Sequence, residues 1–130
     1  MNETVSVAIA GISVFLVSSI YYIALTPIEV RALGHAAPDR GGRPGPAKAL
    51  LELARSVLLG AVIAGVARAS HLHSLGSTVL LGLVLWLGFP FVLLTGSIMW
   101  DKVPPVTALL HAGDWLLKLL VIAAIVGLWL

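Results

Sequence analysis

The chain has 130 residues, of which 59% are hydrophobic and only 11% charged, with a mean hydropathy of +1.05. Soluble domains average about 45–50% apolar and about 25% charged residues, so the composition points to a single integral membrane domain. The formal net charge is +2, but the basic residues gather in one loop instead of forming a nucleic-acid patch. Cysteine is absent, which excludes disulfides, thiolate metal sites and thiol redox chemistry.

Crossing the hydrocarbon takes about 20 mainly apolar residues. The first stretch that qualifies runs from about Val5 to Leu25 and is expected to break at Thr26-Pro27. Its leading Met-Asn-Glu-Thr has no basic residue and its apolar run exceeds a secretory h-region, so it is expected to stay as a transmembrane helix. Gly11, Ser18 and Ser19 are small enough for close helix packing. Tyr21 and Tyr22 fall near the cytoplasmic end, where they form an interfacial belt or line a cavity.

The first loop, residues 26–48, is the one long connection. Its Pro/Gly-rich core from Pro38 to Pro46 cannot bury a hydrophobic core and is expected to be flexible. The preceding Pro27–Leu33 reads as a juxtamembrane turn or a short interfacial helix.

The second span, about 49–67, carries Glu52, Arg55 and Ser56 at spacings that share one helical face. Arg55 lies about 10–12 Å below the helix start. The third span, about 75–100, holds Trp86 and Pro90; the proline leaves the Trp86 carbonyl without its helical partner and predicts a kink. Such kinks border cavities in membrane bundles, which makes Trp86 a candidate cavity wall.

The fourth span, about 106–130, is the most informative. His111, Asp114 and Lys118 fall within about 60° of one another around a helix, with Thr107 one turn earlier and Trp115 alongside. Counted from Pro105, Asp114 lies about 13–14 Å deep and Lys118 about 20 Å deep. Each unpaired charge at such depth costs about 2.5–3.5 kcal/mol, so the stripe needs partners. The second and fourth helices enter from the same side, which predicts a buried network of Glu52, Arg55, His111, Asp114 and Lys118 between them.

Arg31, Arg40, Arg43 and Lys48 sit in the first loop and Lys102 in the third connection, against Arg68 alone on the other side. The positive-inside rule then makes those two connections cytoplasmic and leaves both termini outside. The expected architecture is all-α: a four-helix transmembrane bundle in the inner membrane.

The Tyr21-Tyr22 pair, the Trp86-Leu-Gly-Phe89 segment followed by Thr95 and Trp100, and His111-Ala-Gly-Asp-Trp115 opening the last helix together resemble the bacterial membrane family catalogued as domain of unknown function 1761. The resemblance covers most of the chain outside the first loop. It implies four transmembrane helices and no known reaction. Asp114 and Lys118 depart from that family's last helix, where charges are not the rule, and no catalytic residues carry over.

Two functional classes follow. The charged network is structural glue in an accessory membrane protein, or it is the site of a proton- or ion-linked transporter or ligand-binding protein acting as a homo-oligomer. In the second case Glu52, Arg55, His111, Asp114, Lys118, Trp115, Tyr22 and Trp86 are the candidate binding residues. An enzyme is not expected, since no nucleophile–base pair or carboxylate dyad stands out. No cofactor or metal is expected either. Haem held by two histidines needs a partner for His111, and His35, His71 and His73 lie elsewhere. Only pairing across a dimer stays open.

Overall fold

Asn2 starts the first helix, its side-chain oxygen accepting the Val5 N–H at 2.9 Å, and Glu3 in the first turn suits the helix dipole. The resulting helix α1 spans Glu3–Leu33. In this computed structural model, residues 2–40 and 45–130 are described; Met1 and residues 41–44 lie outside the described residues. The predicted flexibility of the loop core therefore falls partly outside them, as does Arg43.

The expected break at Thr26-Pro27 does not occur. Pro27 removes the backbone donor that would meet the Ile23 carbonyl, yet the helix carries on through it; one residue earlier the Thr26 hydroxyl donates to the Tyr22 carbonyl at 2.5 Å. The helix ends instead at Gly34, whose φ of +57° is a left-handed value that favours glycine. A 3-10 turn, Gly34–Ala36, follows. At 1.5 Å per residue α1 is about 46 Å long, well beyond a hydrocarbon core of about 30 Å.

Helix α2, Pro46–Ala69, has proline in its first turn, where the missing N–H is harmless. Helix α3, Leu75–Gly88, is capped by the Ser74 hydroxyl. The kink predicted at Pro90 falls at Phe89, the one non-helical residue of the span, which still donates to the Leu85 carbonyl and accepts from Leu93; α4 then runs over Pro90–Trp100. Helix α5, Pro105–Leu128, again opens on proline. The described residues are helical with no strand, and four stretches are long and apolar enough to cross a membrane: Glu3–Ala36, Pro46–Ala69, Leu75–Trp100 and Pro105–Leu128.

Helix α5 is central and touches each of the other helices. Ala10 and Val14 of α1, Ile63, Ala64 and Ala67 of α2, and Leu119, Ile122 and Val126 of α5 form the packed core. Three of these are alanine, and Gly11, Gly60, Gly82 and Gly127 lie against neighbouring helices, small residues of the kind that allow close backbone approach. On the outer face of α1, Val5, Ile9, Ile12, Leu16, Ile20 and Ile23 recur every three or four residues and are exposed, as a lipid-facing stripe is.

α1 and α2 meet most tightly where Gly11 faces Val57. A Cβ at Gly11 would lie 2.5 Å from Val57 Cγ2 and 2.9 Å from Val57 Cα, so G11A should destabilise the fold by about 1–3 kcal/mol through overpacking. Gly65 on α2 has nothing within 4 Å of its added Cβ. G65A should leave stability unchanged or raise it by up to about 1 kcal/mol. Thermal unfolding of both variants in one detergent checks the contrast; equal melting temperatures would contradict the close crossing.

Candidate functional site

Because α1 continues past Pro27, Ser18, Tyr22 and Glu29 fall within about 40° of one another around it. They face Asp114, His111 and Thr107 of the antiparallel α5. Three side-chain rungs join the two helices. The Ser18 hydroxyl donates to Asp114 Oδ1 at 2.5 Å; Tyr22 Oη and His111 Nδ1 share a hydrogen bond of 2.7 Å; the Thr107 hydroxyl donates to Glu29 Oε2 at 2.8 Å. Beside them, Tyr21 Oη donates to the Leu110 carbonyl at 2.6 Å.

The loop closes one end of this ladder. Arg40 folds back so that its Nε and Nη2 each donate to one oxygen of Glu29 at 2.9 Å, and its guanidinium carbon lies 5.3 Å from the Tyr22 ring centroid. Glu29 is 1% exposed, so both its oxygens are occupied within the protein. The bound carboxylate holds the Arg40 guanidinium still more firmly in its charged form, against a smaller opposing effect of burial.

At the other end a chain of charges leads outward from Asp114. Lys118 Nζ is 2.9 Å from Asp114 Oδ2 and 3.7 Å from Glu52 Oε1, and it lies 5.0 Å from the Trp115 ring centroid. Glu52 Oε2 accepts from Arg55 Nη1 at 2.6 Å.

Between α1, α2, α5 and the loop lies an open cleft of roughly 790 Å³, within the range of ligand sites. Arg40, Asp39 and Lys48 line its mouth; Tyr22, His111 and Trp115 its walls; Asp114 and Lys118 its floor. α2 approaches α1 closely around Gly11 and Gly60. Toward the loop, the polar ladder holds α1 to α5 and leaves α2 standing off.

The five-residue network expected from the sequence is rearranged here. Asp114, Lys118, Glu52 and Arg55 do connect, but the Glu52 and Arg55 side chains are 38% and 59% exposed on the cleft wall, not buried. Both open onto the cleft. His111 joins Tyr22 instead of the ion pairs. Trp86 does not line the cleft: its indole N–H donates to the Ala112 carbonyl at 2.8 Å and its ring packs on Phe91. No group of three or more His, Asp or Glu side chains suited to a metal ion occurs among the described residues.

Sequence reasoning missed Glu29, Arg40 and Ser18. The signal for two of them was present, since Ser18, Tyr22 and Glu29 are in phase on one helix, but the assumed stop at Thr26-Pro27 hid it. Arg40 had no local signal, because its role depends on where the loop folds.

The match to known families is unambiguous. Residues 5–127 match the family described as "Protein of unknown function (DUF1761)". The chain belongs to that family. The motifs around Tyr21-Tyr22, Trp86 and His111 therefore led to the right family, and the match covers nearly the whole chain. No curated protein and no solved structure matches it.

Proposed function

We propose that this DUF1761 member is a multi-pass protein of the bacterial inner membrane that binds a small charged ligand in the cleft, reached from the cytoplasm. The observation that carries this reading is the cleft itself. A charged cavity runs from the basic loop to an Asp–Lys pair midway along an apolar helix, and ionisable groups at such depth mark ligand or ion pathways. Arg40, Lys48 and Lys102 at one end, with Arg68 at the other, support a cytoplasmic loop and both termini outside. One chain of four helices is too thin to enclose a route across the bilayer, so coupled transport would require a homo-oligomer.

A second reading has its own support. Among the described residues no buried side-chain nitrogen or oxygen lacks a hydrogen-bond partner, which is what a purely structural, accessory role requires.

Because the chain has no cysteine, single-cysteine labelling separates the two. Ser19 lines the cleft and its neighbour Ile20 faces outward, 66% exposed. A membrane-impermeant maleimide applied to inside-out vesicles should modify S19C at least tenfold faster than I20C, and should leave S19C unmodified in right-side-out vesicles. Equal, slow labelling at both positions would mean a dry cleft and would leave only the structural reading.

A further inference from the structure

The cleft does not end at its charged floor. On the side of Glu52, Arg55, Trp115 and Lys118 away from the loop, a second groove of roughly 280 Å³ continues between α2 and α5. Its own walls are Ser56, Leu58, Leu59 and Val62; the Ser56 hydroxyl is turned to the Glu52 carbonyl, and Leu58 and Val62 are exposed at 64% and 53% on the face that the apolar pattern gives to lipid. The four shared residues form a charged and aromatic threshold between a polar cavity and an apolar one.

We infer that the ligand is a single-chain anionic amphiphile, with a carboxylate or phosphate head at the threshold and an aliphatic chain in the groove. This rests on the ligand-binding reading of the cleft and adds its chemical class. Polar volume joined to largely apolar volume through a threshold that holds Arg55 and Lys118 beside Glu52 is complementary to an amphiphile. The volume is just below that of an ordinary small-molecule site, about 300 Å³ and up, and suits one chain better than two.

The sign of the head follows from which charges are already satisfied. Asp114 is engaged by Ser18 and Lys118, and Glu52 by Arg55 and Lys118. Asp39 at the mouth is itself engaged. Arg55 spends one N–H on Glu52 and has four more donors, while Lys48 has no hydrogen bond or ion pair among the described residues. The donors left over are cationic. Arg55 is also the shared residue nearest the apolar wall in sequence, one helical turn before Leu58 and Leu59.

Equilibrium dialysis of the full chain in phosphatidylcholine nanodiscs, against empty nanodiscs, tests this with three probes. Dodecanoate should bind saturably; acetate and dodecyltrimethylammonium should bind at least a hundredfold more weakly. R55Q, at an exposed position, and V62W, which fills the lipid-facing groove, should each weaken dodecanoate at least tenfold. Both changes lie on open surfaces that folding tolerates. Acetate binding as well as dodecanoate would overturn the amphiphile while leaving the cleft as a ligand site. The cationic probe binding equally would overturn the anionic head. Dodecanoate binding that ignores both variants would be bilayer partitioning, and would overturn the proposal. No binding of any probe would do the same, with S19C labelling deciding separately whether the cleft is wet. Quantitative disulfide dimers of V62C would show that a second copy fills the groove, which also overturns it.

Discussion

K118M is expected to destabilise the folded protein by about 3 kcal/mol, and D114N combined with K118M to recover most of that loss. The Asp114 side chain is 2% exposed and that of Lys118 11% exposed. With the lysine gone, the carboxylate keeps the Ser18 hydroxyl but no ion-pair partner among the described residues, and becomes an uncompensated charge inside an apolar helix. Breaking a buried pair typically costs 3–5 kcal/mol, and an unpaired acid at a helix centre costs about 2.5–3.5 kcal/mol on the insertion scale. The pair borders an open cleft and Lys118 is not fully enclosed, which argues for the low end. Asparagine in place of the acid keeps an acceptor for Ser18, and methionine keeps the bulk against Trp115, so the double variant removes both charges without a cavity. Equilibrium unfolding in mixed micelles completes the cycle. A double variant as unstable as K118M would mean that shape, not charge, holds this site together.

The α5 stripe was legible because helical periodicity is a local property: Thr107, His111, Asp114 and Lys118 align whatever surrounds them. Their partners were not, because partner choice is a matter of packing. Depth arithmetic matched α5 with α2, which enters from the same side, and that pairing survives only in the 3.7 Å contact of Lys118 with Glu52. The nearer neighbour is the antiparallel α1. Its contribution consists of one serine, two tyrosines and a glutamate scattered through an otherwise apolar helix, too weak a signal to compete with charges. Glu29 was further masked by a rule that works in water. An interior proline usually ends a helix in water, but here α1 continues through Pro27 to Leu33, and the Arg40–Glu29 clamp holds its last turns. In the third span the same residue type acts as expected: the interior proline interrupts the helix at Phe89 within one continuous span.

That clamp yields the second large effect. R40A should leave the Glu29 carboxylate, 1% exposed, with Thr107 as its one remaining hydrogen-bond partner among the described residues and release the last turns of α1. Arg40 is 24% exposed, so part of the interaction is screened and the expected cost is about 2–3 kcal/mol, below the usual range for breaking a buried pair. The loss is local, because residues 28–33 depend on the clamp while the core cluster around Val14, Ile63 and Ile122 does not touch it. Amide hydrogen exchange in residues 28–33 should therefore accelerate roughly 30- to 150-fold, with the core amides of α5 unchanged. R40K should fall between, since it keeps the charge but loses the two-pronged geometry. E29Q in the R40A background should slow the exchange again, because the neutral amide still accepts from Thr107 and leaves no buried charge behind. If exchange past Pro27 is the same in R40A as in the parent chain, the helix persists there on local grounds alone, and the loop is not what closes that end of the cleft.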